Sequence, residues 1–291
     1  MKRTIRFVVI PKLAHLWFDE VHKGAQAQAE ILSRELDVNI LVEYMPPPVA
    51  DLATQKSILE QAFISQPQGI ALDPVDSINN MDVISKLKKQ GIPLVLFDSL
   101  SSDNNITSIG TNFAHQGIIA ANQLLKLINY TGKVAIMQGY PTAPNHKERY
   151  EAQISVLKNH PNVTIIDGGI DNDDIETAYQ QATAVISSTP DLSGYLCCDA
   201  SGPIGIARAI KAAGKKGEIK IVAMDGIKPI LIAIKDGVIN SSAASNPKMQ
   251  GSMSILMLWQ AFLGICTPRI IDTGVELITQ ENIDRYLAEA D

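Results

Sequence analysis

The sequence predicts an α/β protein built as two Rossmann-like lobes with parallel sheets. Short runs that are apolar almost throughout alternate with longer amphipathic stretches, and the alternation breaks off once and then resumes. Strands that are apolar on both faces must be covered on both, as helical crossovers between parallel strands do. In order, the first series reads TIRFVVI at 4–10, a helix over about 17–35, VNILVEY at 38–44, a helix at 52–66, GIAL at 69–72, a helix at 77–90 and PLVLF at 93–97. SLSSDNN then has the Ser/Asn/Asp content of a loop, and ITSI follows at 106–109 before a helix at 112–129. The second series runs KVAIM at 133–137, a helix at 146–159, VTII at 163–166, a helix at 174–188, GYLCC at 194–198, a helix at 202–213 and IKIVA at 219–223. The end of the chain is unlike a βα repeat. A helix from Pro247 to Leu263, the segment CTPRIIDTG and then ITQENIDRYL suit a stretch that stitches the lobes together.

Composition narrows the function. At 291 residues the chain is about twice a usual domain, and 46% hydrophobic against 19% charged residues is an ordinary globular balance. Lys and Arg number 25 against 31 Asp and Glu, a formal charge of −6 with no dense basic run, which excludes a nucleic-acid footprint and disfavours acidic membrane surfaces. The most apolar run, Met253 to Cys266, is interrupted by Ser254, Gln260 and Gly264 and is too short to cross a bilayer, so a buried core helix is expected. Met1-Lys2-Arg3 leads straight into the first strand without an export signal, which leaves a cytosolic protein or one whose signal has been removed. Three cysteines, with Cys197 and Cys198 adjacent in an apolar run, provide neither a disulfide framework nor metal-ligand spacing. Buried, unreactive thiols are expected, with no metal and no cofactor.

The chemistry concentrates where strands end. GIALD, PLVLFD, GYLCCD and IVAMD carry strands directly into Asp73, Asp98, Asp199 and Asp225. In open parallel sheets the ligand crevice lies beyond the carboxyl ends of the strands, so these carboxylates are aimed at it. Each Asp would also serve as a helix N-cap, and that alternative stands beside the first. An ionised carboxylate only accepts hydrogen bonds and can take two from neighbouring hydroxyls, which favours a polyhydroxylated ligand and repels a phosphate. Arg149, in KERYEAQ, is the candidate donor. Trp17 and Phe18, at a loop-to-helix entry beside His15, could cover the apolar C–H face of a sugar or be plain core. Nucleophile-elbow, zinc-helix, P-loop and dinucleotide motifs are missing, AAGKKG being the nearest approach. DNDDIE at 171–176 opens like a calcium loop, but Ile175 falls at a ligand position. It reads as an acid-rich helix N-terminus, from which Asn172 or Asp173 could reach the cleft.

FVVIPKLAHLWFDEVHKGAQAQAE, GIALDPVDS, IPLVLFDS, KERYEAQ, CCDASGPIGIARAI, IVAMDGIKP and DGVINSSAASNPKMQG resemble, in that order, ribose- and galactose-type (type I) periplasmic binding proteins, the sugar receptors of ABC importers. The resemblance covers nearly the whole chain and lies in the combination of segments. It implies two lobes joined by three hinge crossovers, placed near Asp103 to Thr107, Ala243 to Asn246 and Cys266 to Ile271. The N-terminal lobe would be 1–105 plus 246–267 and the C-terminal lobe 106–245 plus 268–291. It implies ligand contacts from His15, Trp17, Phe18, Asp73, Asp98 with Ser99, Arg149, Asp199, Met224 with Asp225, and Ser245. Asp73 and Asp199 stand where ribose receptors carry Asn, Met224 replaces an aromatic and Ser245 a Gln, so the resemblance points away from ribose toward an inositol, another polyol or an amino sugar. IPKL is similar to the opening of autoinducer-2 and rhamnose receptors, which adds Lys12. The implied partners are a small carbohydrate and a membrane permease, for a monomeric, non-enzymatic protein that is periplasmic or lipid-anchored outside the cytoplasm. The alternative is an effector-binding or sensory module of a lac-repressor-like or chemosensory system. Against a repressor stands the first strand, which begins at about Thr4 with no helix-turn-helix before it.

Overall fold

The computed structural model describes residues 2–76, 81–101, 103 and 105–290. Chain order runs β1 (Arg3–Ile10), α1 (Leu16–Glu35), β2 (Val38–Tyr44), α2 (Leu52–Ile64), β3 (Gly69–Leu72), α3 (Met81–Lys89), β4 (Leu94–Phe97) and β5 (Thr107–Gly110). It continues with α4 (Phe113–Leu127), β6 (Gly132–Gln138), α5 (Pro144–Leu157), β7 (Val163–Ile170), α6 (Ile175–Ser188), β8 (Leu192–Leu196), α7 (Gly202–Ala212), β9 (Lys220–Met224), α8 (Lys228–Lys235) and β10 (Ser241–Ala244). The last elements are α9 (Pro247–Phe262), β11 (Ile270–Asp272), β12 (Glu276–Thr279) and α10 (Ile283–Ala290). Two compact units result, Met1–Thr111 with Asn246–Thr273, and Asn112–Ser245 with Gly274–Asp291.

In the first unit the sheet order is β11-β5-β4-β3-β1-β2, parallel throughout. Its core joins Val8, Ile10, Leu59, Ile70, Leu72, Ile84, Leu87 and Leu96 beneath α2 and α3. On the other face α1 packs against α9 through glycines. A Cβ on Gly24 would lie 1.9 Å from the Lys248 carbonyl oxygen, and one on Gly251 1.9 Å from that of Val21, so the two backbones touch where side chains normally stand. The second unit repeats the plan as β12-β10-β9-β8-β6-β7, with α4 lying on β8, β9 and β10. Asp51, Asn112, Asp174 and Asn246 cap α2, α4, α6 and α9, each side chain accepting from a backbone N–H two residues into its helix.

Several expectations change. The second sheet is mixed, because β12 runs antiparallel to β10. Ala243 and Ala244 are not crossover but strand, since β10 pairs with β9. SSAA carries little side-chain signal, and burial between neighbours decides it. Residues 270 and 271 likewise form β11 on β5. The chain therefore passes between units after Thr111, Ser245 and Thr273, where the expected seams lay at 105/106, 245/246 and 267/268. β8 stops at Leu196, so Cys197 and Cys198 stand between the strand and Asp199. The helix over 77–90 begins, among the described residues, at Met81; residues 77–80 lie outside them, as does Asn104 in the expected first crossover. Cys266 is exposed rather than buried. Among the described residues no helix is long and apolar enough to cross a membrane.

Candidate functional site

In the first unit the strand ends bring Lys12, Asp73 and Asp98 together. The Lys12 ammonium lies 3.4 Å from the Asp73 carboxylate and 3.8 Å from that of Asp98, and all three side chains are buried. A buried carboxylate needs a partner charge, and one lysine serves both. The same ammonium stands 5.8 Å over the Phe18 ring, which meets Trp17 and Phe97 edge to face. Trp17 and Phe18 are thus largely core, and His15 caps α1 by accepting from the Trp17 N–H.

Two glutamines fix the loops that carry these groups. Gln55 donates to the carbonyls of Pro11 (3.1 Å) and Asp73 (2.8 Å) and accepts from the Val75 N–H. Gln250 accepts from the Asp98 N–H at 3.0 Å. Asp98 itself has φ of 47°, in the left-handed region that costs a non-glycine residue energy, and its N–H also reaches the Ile109 carbonyl. Next to it the Ser99 hydroxyl is buried with no hydrogen-bond partner among the described residues.

The second unit repeats this plan at Asp225, which has φ of 66° and an N–H that donates to the Ala243 carbonyl. Here a hydroxyl replaces the lysine, since Ser245 donates to the Asp225 carboxylate. Met224 ends β9 inside the core. Arg149 is 2% exposed; its Nε donates to Gln116 at 2.7 Å, its Nη1 to the Cys198 carbonyl at 3.0 Å, and its guanidinium lies 5.0 Å from the Phe113 ring centre. Gln116 and Gln153 in turn hold the Ala243 and Cys197 carbonyls. Burial pushes the Cys197 and Cys198 thiols well above their ordinary range, so they are inert packing.

Asp199 does part of the capping work expected of a strand-end Asp, because it accepts from the Ser201 and Gly202 N–H groups at the start of α7. In 171–176 the inward-facing acid is Asp171, fully buried beside Asp199, whereas Asn172 is exposed, Asp173 half-buried and Asp174 the cap of α6. Sequence reasoning passed over Asp171 and the four buried glutamines. One of the glutamines did leave a signal: Gln55 shares an apolar helix face with Leu59 and Ala62, whereas Gln153 lies on a face with Arg149 and Leu157. A polar residue on such a stripe asks for a buried partner.

The family model described as Periplasmic binding protein domain matches residues 6–265. The chain belongs to this family. Among relatives, the D-allose-binding periplasmic protein of Escherichia coli is 24% identical over 263 residues, 87% of this chain and 83% of that one. The D-ribose/D-allose-binding protein of Pseudomonas aeruginosa is 25% identical over 284 residues, 94% and 88% of the two chains. An ABC transporter solute-binding protein of Burkholderia graminis, solved in complex with D-arabinose, superposes with a TM-score of 0.91 at 26% identity, covering 97% of this chain and 98% of its own. One from Agrobacterium vitis, bound with alpha-D-tagatopyranose, gives 0.89 at 25% identity and covers 98% of both. These relatives of the family are named for binding, in line with the expectation of capture rather than turnover.

Proposed function

We propose that this chain is the solute receptor of a carbohydrate ABC importer, acting outside the cytoplasm and delivering a hydroxyl-rich monosaccharide or polyol to a membrane permease. The observation that carries the reading is the matched pair Asp98 and Asp225: buried strand-end carboxylates, one in each unit, both on left-handed backbone. Strain of that kind persists where a side chain must be aimed. The named sugar ligands of relatives and of solved structures with this fold supply the ligand class.

In this reading Asp73, Asp98, Asp199 and Asp225 accept hydrogen bonds from ligand hydroxyls and Arg149 donates from the part of its guanidinium beyond Nε and Nη1. Lys12 and Ser99 add donors, Ser245 orients Asp225, and Phe18 offers a ring edge to a C–H face. His15, Trp17 and Met224 support these groups from their elements. Asn172 and Asp173 contribute through the loop they shape around Asp171.

The test is a thermal-shift screen over pentoses, hexoses, inositols and amino sugars, followed by Asp98→Ala and Asp225→Ala. A ligand raises the melting temperature by mass action, and each substitution should abolish the shift of the best ligand at the concentration used, since a lost contact to a charged acceptor costs about 1.5–3 kcal/mol. Wild-type shifts in both variants would overturn the site. A ligand converted to product on incubation would overturn the receptor reading.

A further inference from the structure

Asp171 and Asp199 meet in the second unit with almost no water. They are 0% and 2% exposed, and both close around the start of α7: a Cβ on Gly202 would lie 2.8 Å from Asp171 Oδ2 and 3.2 Å from Asp199 Oδ1. Their partners are unequal. Asp199 Oδ1 accepts from the Ser201 N–H at 2.9 Å and the Gly202 N–H at 2.7 Å at a helix N-terminus, whereas Asp171 Oδ1 accepts from the Asp173 N–H alone among the hydrogen bonds described. Asp171 Oδ2 is buried with no donor among the described residues. Two ionised carboxylates closed off from water around one helix start repel each other unscreened, and the backbone donors favour the negative charge on Asp199.

We infer that Asp171 is a neutral carboxylic acid that donates its proton to a hydrogen bond with Asp199, and is the positioning residue for that ligand-facing carboxylate. The assignment of Asp199 to the ligand rests on the function proposed above; the shared proton does not. Burial, and then the charge of Asp199, push the Asp171 carboxyl up to about 11. Among the influences described for the Asp171 carboxyl, none is a cation. Asp173, on the β7–α6 loop, adds negative charge, and burial keeps the Cys197, Cys198 and Tyr195 groups of β8 and its loop protonated. His146, on α5, is placed against Gly139 as Asp199 is, and its Nδ1 accepts from the Tyr140 N–H. Arg149 directs Nη1 to the Cys198 carbonyl and Nε to Gln116.

Thermal melts of the ligand-free protein and of Asp171→Asn between pH 5 and pH 9 test the proton. The wild type must take up a proton on folding, at a cost that grows as pH rises above the range of an unfolded carboxyl, and asparagine needs none. The variant should therefore gain melting temperature on the wild type steadily with pH. A difference that stays constant across the range overturns the shared proton. Titration with D-allose tests the positioning role: Asp171→Ala should bind at least tenfold more weakly than Asp171→Asn, whose amide still donates to Asp199. Equal affinities of the two variants overturn that role. If D-allose does not bind the wild type, the melts still decide the proton, and the failure counts against D-allose as ligand.

Discussion

The two units place aspartates at the same strand ends and neutralise them by different means. In the first, Asp73 and Asp98 share the Lys12 ammonium. In the second, Asp171 and Asp199 have backbone N–H donors and, in our reading, one proton between them, while Asp225 is held by Ser245. Lys12 carries its countercharge on the chain itself, whereas a proton must be drawn from solvent, so the compensation at Asp171 is the one tied to the uptake of a proton on folding. The comparison also shows that a strand-end carboxylate is not a site until its compensation is known.

The strongest way to break this contrast is Lys12→Met. Removing the lysine leaves two buried carboxylates without their cation, and at pH 8 the first unit should lose about 3–5 kcal/mol. The loss should shrink toward pH 5, because one carboxyl can then take a proton: a carboxyl raised by burial is most stabilising at low pH and loses that contribution as pH rises. The variant would thus give the first unit the pH dependence of the second. Both tryptophans, Trp17 and Trp259, lie in the first unit, so tryptophan fluorescence follows its unfolding while circular dichroism follows both. A pH-independent loss would break the comparison.

Next in size is Gly251→Ala. The added methyl would fall 1.9 Å from the Val21 carbonyl oxygen, forcing α9 off α1 at a cost near the upper end of the 1–3 kcal/mol range typical of overpacking. The tryptophan-monitored midpoint in urea should fall with it. A circular-dichroism transition that splits in two would mark the units as separately stable, and an unchanged midpoint would refute the backbone contact. The smallest effect belongs to Ser245→Ala, which removes one hydroxyl from Asp225. About 1 kcal/mol should be lost by denaturant titration.

The sequence by itself determined the class, the division into two βα series and the strand-end positions of Asp73, Asp98, Asp199 and Asp225, because burial on both faces writes a local apolar run and a polar residue must end it. It located Arg149 but left open whether the side chain was buried. Tertiary structure alone decided that β10, with its side chains of Ser and Ala, is a strand, that β12 runs antiparallel, and that α9 belongs with α1 from the far end of the chain. Those choices rest on pairing and close approach between distant segments, which leave no local periodicity. It also decided which acids stand together. Lys12 reaches Asp73 and Asp98, and Asp171 reaches Asp199, only once separate strand ends are gathered at one edge of a sheet. The protonation of a buried carboxyl is set by those neighbours and by the exclusion of water, and neither is a property of the residue's own stretch of sequence.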